Sequence, residues 1–170
     1  MGTTNHTPKA VVLGMGNLLL KDEGIGVHVA QALQETPLPG DMELEIIDGG
    51  TLPDMVASIG EVDKLVVVDA VQGGGEPGAI YRFRPEDVRL DNEMLTSLHQ
   101  MNLLQELWMT ERFGQKPGEV VIIGVEPDDM NLGLELSEKL QRRVPQIIKV
   151  VLEEITSDYP DDSKKGDLRK

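Results

Sequence analysis

Residues 9–16 read KAVVLGMG and residues 22–33 read DEGIGVHVAQAL. A short β-branched run that stops at glycines has the pattern of a buried strand entering a tight turn. In the second stretch the period changes. Ile25, Val29, Ala32 and Leu33 share one helical face, and Pro37 and Pro39 end the helix, which is expected from about Asp22. The alternation continues down the chain. Glu43–Asp48 (ELEIID) reads as a second strand, broken by Gly49 and Gly50. Thr51 is expected to cap a short helix, with Pro53 in its first turn, running to about Ile59. Lys64–Ala70 (KLVVVDA) is apolar without alternation, which places covering layers on both of its faces. Gly73, Gly74 and Gly75 form a loop, and Ala79–Arg84 (AIYRFR) alternates as an exposed strand. After an irregular stretch from Asp87 to Thr96, helical spacing returns from Leu98 to Phe113. Glu119–Val125 is another buried strand, and a last helix is expected from Leu134 to Glu154. Strands alternating with helices define an α/β fold, three layers deep, around a mostly parallel twisted sheet. One domain is expected over 9–157, between a flexible N-terminus (1–8) and a polar, disordered tail (158–170).

Composition narrows the function. The chain of 170 residues carries 30 acids against 16 lysines and arginines, a formal charge of −14. Aromatics are only 3%, so Val, Ile, Leu and Met must fill the core. The absence of cysteine excludes disulfides, thiolate zinc sites and a cysteine nucleophile. No apolar run approaches the ~20 residues of a membrane span. Met1 to Lys9 is short and polar, without an apolar signal-peptide core, and the protein reads as cytoplasmic. Residues 22–63 hold ten acids and no Lys or Arg. Most of these acids are ordinary solvated surface. Together they repel phosphates and attract cations, which argues against a nucleic-acid partner.

Ligands of a parallel α/β sheet bind beyond the carboxyl ends of its strands. Those ends carry Gly14-Met15-Gly16-Asn17, Asp48, Asp69 and Gly124, with Glu126 and Asp128 just beyond. The glycine turn does not complete a dinucleotide fingerprint, because the third glycine position is Leu19 and Asp22 and Glu23 would meet the pyrophosphate. Walker, G-x-S-x-G and H-E-x-x-H patterns are absent. What remains is Glu23 at the start of the first helix, Asp69 at a strand end and His99 at the start of the third helix. Two carboxylates and an imidazole suit a borderline divalent ion such as nickel or zinc. Each has a plainer reading. Glu23 offsets a helix dipole, Asp69 caps a turn, and His99 is a surface helix residue. His28, off the apolar face, and His6, near the N-terminus, read as structural or exposed. Met101 and Met109 read as packing residues.

Several blocks resemble the hydrogenase maturation endopeptidases. They are VLGMGNLLLKDEGIGV (12–27), IDGGT (47–51), LVVVDAV (65–71), QGGGEPG (72–78), SLHQMNL (97–103) and IIGVEP (122–127). The blocks keep their order over roughly residues 10–155. The resemblance implies a phosphorylase/hydrolase-like α/β/α fold. It also implies an endopeptidase that removes the C-terminal extension of a nickel–iron hydrogenase large-subunit precursor after nickel insertion. The family's metal-binding Glu, Asp and His fall on Glu23, Asp69 and His99, and its D-G-G segment on Asp48, Gly49 and Gly50. The implied catalytic candidates are therefore Asp69, Glu23 and Asp48. The implied nickel is supplied by the precursor, with another divalent cation as its substitute in isolation. The expected partner is that precursor, and the protein is expected to be a monomer without membrane insertion.

Two mechanisms stay open on this reading. Either substrate-borne nickel docks on Glu23, Asp69 and His99 to orient or polarise the scissile bond, or Asp69 and a second acid share the proton transfers as an aspartyl protease would. A nickel-sensing checkpoint protein would use the same ligands without cleaving. Peptidyl-tRNA hydrolases also open with a strand and a G-x-G-N turn. They follow it with Pro and Gly, where this chain has Leu18 and Leu19. The acidic stretch 22–63 is expected to steer docking onto a basic patch of the precursor.

Overall fold

The structure is a computed structural model that describes residues 6–52, 54–88, 98–114 and 116–157, the side chains of 98–102 excepted. Among these residues five strands are present: β1 (Lys9–Met15), β2 (Glu43–Gly50), β3 (Lys64–Ala70), β4 (Ile80–Phe83) and β5 (Glu119–Val125). Their order across the sheet is β2-β1-β3-β5-β4, parallel throughout except for β4, which runs antiparallel to β5. Every residue of β3 is buried, as expected of an apolar run without alternation at the sheet centre. The alternating segment forms edge strand β4.

Among the described residues four α-helices cover the sheet: α1 (Ile25–Gln34), α2 (Met55–Ile59), α3 (Leu98–Arg112) and α4 (Glu138–Thr156). Successive strand residues point to opposite faces, and the core divides accordingly. On one face Val12, Val66 and Val68 pack under α1 and α4 through Ile25, Val29, Leu140, Ile147 and Val151. On the other, Leu13, Leu65 and Val67 pack with Val56 of α2 and Leu103, Leu104 and Leu107 of α3. The result is the three-layer α/β/α arrangement. The packing of α1 on β1 is set by backbone: a Cβ on Gly14 would lie 2.2 Å from the Gly26 carbonyl oxygen, and one on Gly26 would lie 2.0 Å from that of Val68. Gly26 thus performs the close helix–strand packing that Leu19 cannot.

Several boundaries differ from expectation. The first helix is preceded by a 3-10 turn, Lys21–Gly24, and becomes α-helical only at Ile25. The short helix is not capped by Thr51. Asp54 sits at its N-cap with φ of 60°, and the Glu106 carboxylate of α3 accepts the Asp54 and Val56 N–H groups at 2.5 and 3.0 Å. A tertiary partner has replaced a local one. The last helix starts at Glu138 rather than Leu134, because Ser137 accepts from the Leu140 N–H while its own N–H is drawn to a buried carboxylate of Asp22. Pro53, the tail 158–170 and most of the irregular stretch 87–96 lie outside the described residues, as do residues 1–5 of the expected flexible N-terminus. Among the described residues no helix is long and apolar enough to cross a membrane.

At the amino end of the sheet Lys64, 1% exposed, is held by Glu154 at 3.0 Å and Glu119 at 3.4 Å, and donates to Ser157 Oγ at 2.9 Å. Arg82 closes on Glu154 with two bonds of 2.6 and 2.9 Å. Removing one partner of a buried ion network strands the others. Lys64→Ala is expected to lower the unfolding free energy in urea titrations by about 3–5 kcal/mol.

Candidate functional site

Three loops meet at the carboxyl edge of the sheet, and the first supplies Glu23. Asn17 Oδ1 accepts the Leu19 N–H at 2.9 Å, and the Glu23 N–H reaches the Leu20 carbonyl at 3.0 Å, closing the 3-10 turn. A Cβ on Gly16 would lie 2.0 Å from the Glu23 carbonyl oxygen, so the glycine after β1 is what lets this turn fold back over the strand end. Glu23 is partly exposed.

Its neighbour Asp22 is fully buried. One carboxylate oxygen accepts the N–H groups of Asp128 and Asp129 at 2.9 and 2.8 Å, and the other accepts that of Ser137 at 2.7 Å. The same two loops also pair through Leu20 and Gly133, with Gly133 N–H to Leu19 O and Lys21 N–H to Gly133 O both at 2.9 Å. Lys21 closes on Asp129 at 2.5 Å. The sequence treated Asp22 as one more helix-start acid. Only its position beside Glu23 hinted that two adjacent carboxylates had separate tasks.

Asp69 lies near the end of β3 and is 3% exposed. Burial pushes its carboxyl up to about 7, against the opposing hydrogen bond from the Ala70 N–H, and the charge of Glu23 pushes it in the same direction. The structure therefore brings Glu23 and Asp69 within electrostatic reach from two separate elements. His99 is in the first turn of α3, on the sheet face to which Asp69 projects, and its side chain is outside the described residues. Among the described residues no three His, Asp or Glu side chains form a metal-holding group. Asp48 is placed differently. It is in register with Gly14, follows Ile47 of the α2–α3 face, and turns to the α1 side, where Gln31 donates to it at 3.2 Å. Asp69 follows Val68 of the α1–α4 face and so projects the opposite way.

The other histidines have structural partners. His6 bonds to Asp63 at 2.9 Å. His28 bonds the backbone of Leu134, and its buried Nε2 has no hydrogen-bond partner among the described residues. Burial holds its pKa below the ordinary imidazole value, against that backbone bond and the charge of Asp22. Sequence reading also gave no role to Glu126, which follows β5 and is 8% exposed, taking hydrogen bonds from the loop that follows Asp69.

Paired carboxylates at the carboxyl edge of a doubly covered, mostly parallel sheet define the class: a small three-layer α/β protein with an acidic site at its strand ends. Comparison with known proteins narrows it: the hydrogenase maturation protease family matches residues 27–154, and the chain belongs to that family. The Escherichia coli hydrogenase 2 maturation protease is 30% identical over 146 residues, 85% of this chain and 88% of that protein. The hydrogenase expression/formation protein HupD of Thiocapsa roseopersicina is 34% identical over 149 residues, 86% of this chain and 67% of its own length. Among solved structures, the E. coli hydrogenase maturating endopeptidase HybD superposes with a TM-score of 0.75 at 29% identity, covering 86% of this chain and 91% of that one. The [NiFe] hydrogenase maturation protease HycI of Thermococcus kodakarensis gives 0.67 at 27% identity, over 88% and 93%.

A carboxyl with a native pKa near 7 binds its proton more tightly in the folded than in the unfolded protein. Its contribution is fully present below the unfolded value near 4 and is lost as pH rises through 7. In metal-free protein, Asp69→Asn is therefore expected to be more stable than wild type by about 2–4 kcal/mol at pH 8. The difference should close toward pH 4, as followed by urea unfolding across that range.

Proposed function

We propose that this chain is the endopeptidase that trims the C-terminal extension of a nickel–iron hydrogenase large-subunit precursor once nickel has been inserted. The observation that carries this reading is the pairing of buried Asp69 with Glu23 at the carboxyl edge of the sheet, in a chain of the hydrogenase maturation protease family. His99, at the start of α3, is the third member of the set. The nickel belongs to the substrate, where it signals that the precursor is ready and draws electron density from what it touches. Two carboxylates and an imidazole are a fitting donor set for such an ion.

Peptide hydrolysis adds water across the C–N bond. A proton must leave the attacking water and one must reach the departing amine. In the metal-free protein Asp69 titrates near 7, and where the ion rests on Glu23 and His99 this carboxyl takes the first proton and delivers the second. Glu23 orients the substrate-borne ion beside it. Asp48, on the α1 side where Gln31 donates to it, is a lesser catalytic candidate at the same edge.

The surroundings suit a protein substrate. Leu19, Leu132 and Leu134 stand 60%, 82% and 66% exposed on the two loops that Asp22 braces. Exposed apolar side chains held on rigid loops mark a place for another apolar surface.

The test mixes purified protein with nickel-loaded and nickel-free precursor and follows the precursor's mass. Loss of a C-terminal piece from the loaded form alone is expected. Asp69→Asn and His99→Ala should slow processing about 100-fold or more. Tight binding with no mass change would replace this reading with a nickel-sensing checkpoint.

A further inference from the structure

Beyond Asp69 the chain leaves β3 and loops back to enter β4. Backbone bonds already close this loop: Val71 N–H to Val125 O at 2.9 Å, Gly78 N–H to Glu126 O at 2.8 Å, and Glu126 N–H to Ala79 O at 2.9 Å. A second set of bonds ties its middle. Glu126 Oε2 accepts the Gly73 N–H at 2.7 Å and the Tyr81 hydroxyl at 2.8 Å, and the Tyr81 oxygen in turn accepts the Gly75 N–H at 3.0 Å. One carboxylate and one phenol thus fix two amides of the triple-glycine run.

The placement relative to Asp69 follows from the register. Asp69 pairs with Gly124, and Gly124 pairs with Tyr81 on the far side. In-register neighbours project to the same face, so Tyr81 and Asp69 flank Gly124 about 9–10 Å apart, two strand spacings. Gly124 has no side chain, and Val71 fills the gap: a Cβ there would lie 2.5 Å from Val71 Cγ2. The loop lies against Tyr81 just as closely. A Cβ on Gly73 would sit 2.6 Å from its ring and one on Gly75 2.4 Å from its hydroxyl. The outward side stays open, with Gly74, Gly75 and Glu76 exposed.

Burying a carboxylate costs stability unless its hydrogen bonds repay it, and the ends of this loop are tied without it. What Glu126 adds is a fixed position for the glycines packed on Tyr81, two strands across from Asp69 on the same sheet face. Main chain without side chains also lets a second main chain approach closely.

We propose that Glu126 and Tyr81 are positioning residues that clamp Gly73–Gly75 as a main-chain wall across from Asp69, against which the substrate polypeptide is aligned. This rests on the endopeptidase reading above. The wall touches substrate on both sides of the reaction barrier, so losing it acts on binding more than on chemistry.

The experiment compares wild type, Tyr81→Phe, Glu126→Ala and Glu126→Gln on nickel-loaded precursor, with amide hydrogen exchange at Gly73 and Gly75. Tyr81→Phe and Glu126→Ala are expected to raise KM about tenfold with kcat within about twofold, and to speed exchange at both glycines. Glu126→Gln keeps an acceptor oxygen and should recover most of the KM loss. Faster exchange with unchanged KM overturns the wall, as does a joint fall of kcat and folded fraction in both variants. Precursor affinity of Asp69→Asn, with and without Tyr81→Phe, separates the two claims. A wild type that never cuts overturns the endopeptidase reading. An affinity unmoved by Tyr81→Phe overturns the wall alone, and a tenfold weakening supports it whether or not cutting is seen.

Discussion

The buried carboxylate of Asp22 is the interaction on which the carboxyl edge of this fold depends. It takes three backbone N–H groups from the segment between β5 and α4, and no solvent reaches it. A carboxylate in that position is stable only because its lone pairs are occupied by donors that themselves need acceptors. The exchange is mutual. The 128–137 segment gains a fixed course, α4 gains a defined first residue, and the turn that carries Glu23 gains a rigid mount. The Leu20–Gly133 bridge and the Lys21–Asp129 pair extend the same seam outward.

The two ends of the sheet handle charge in opposite ways. At the amino end, Lys64, Arg82, Glu154 and Glu119 neutralise one another inside a network of short bonds. At the carboxyl end, Asp69 is buried beside another carboxylate, and its pKa moves up. The first arrangement adds rigidity, and the second leaves a group able to exchange a proton near neutrality. Groups displaced from their ordinary titration range in this way concentrate at functional sites, where stability has been given up for reactivity.

Much of this was legible in the residues. The run KLVVVDA announced a doubly covered central strand, and the glycine-ended run before it announced the first β–turn–α unit, because burial on two faces leaves no alternation. Asp69 could be singled out at a strand end and Glu23 at the helix start that follows the glycine turn, because both elements open onto one edge of the sheet. What stayed hidden depended on partners distant in sequence. Asp22 looked like its neighbour until its three amide donors, more than 100 residues away, were in place. The cap of α2 comes from Glu106, which no local pattern around Thr51 could announce. The start of α4 differs from the sequence pattern because Leu134 and Leu136 extend the apolar spacing, while the hydrogen bonds of Ser137 decide the boundary. Asp48 has the expected strand-end address, and its hydrogen bond from Gln31 of α1 depends on a partner the strand pattern does not name. Glu126 lies in the block IIGVEP and just beyond a strand end, yet neither signal gave it a role, since that role exists only once β4 has brought Tyr81 alongside β5.

The contact of Gly14 with Gly26 has a consequence for how this enzyme can diverge. Where helix and sheet meet through side chains, a larger or smaller residue changes their separation, and everything mounted on the helix start moves with it. Here the spacing is fixed by main-chain atoms that are the same whatever the sequence. Residues elsewhere on α1 can therefore change volume, at a cost in packing, without altering the stand-off of the Glu23 turn from the end of β3. The scaffold tolerates drift in its core while holding one dimension of its site constant, much as a spacer of fixed thickness lets the parts around it be exchanged.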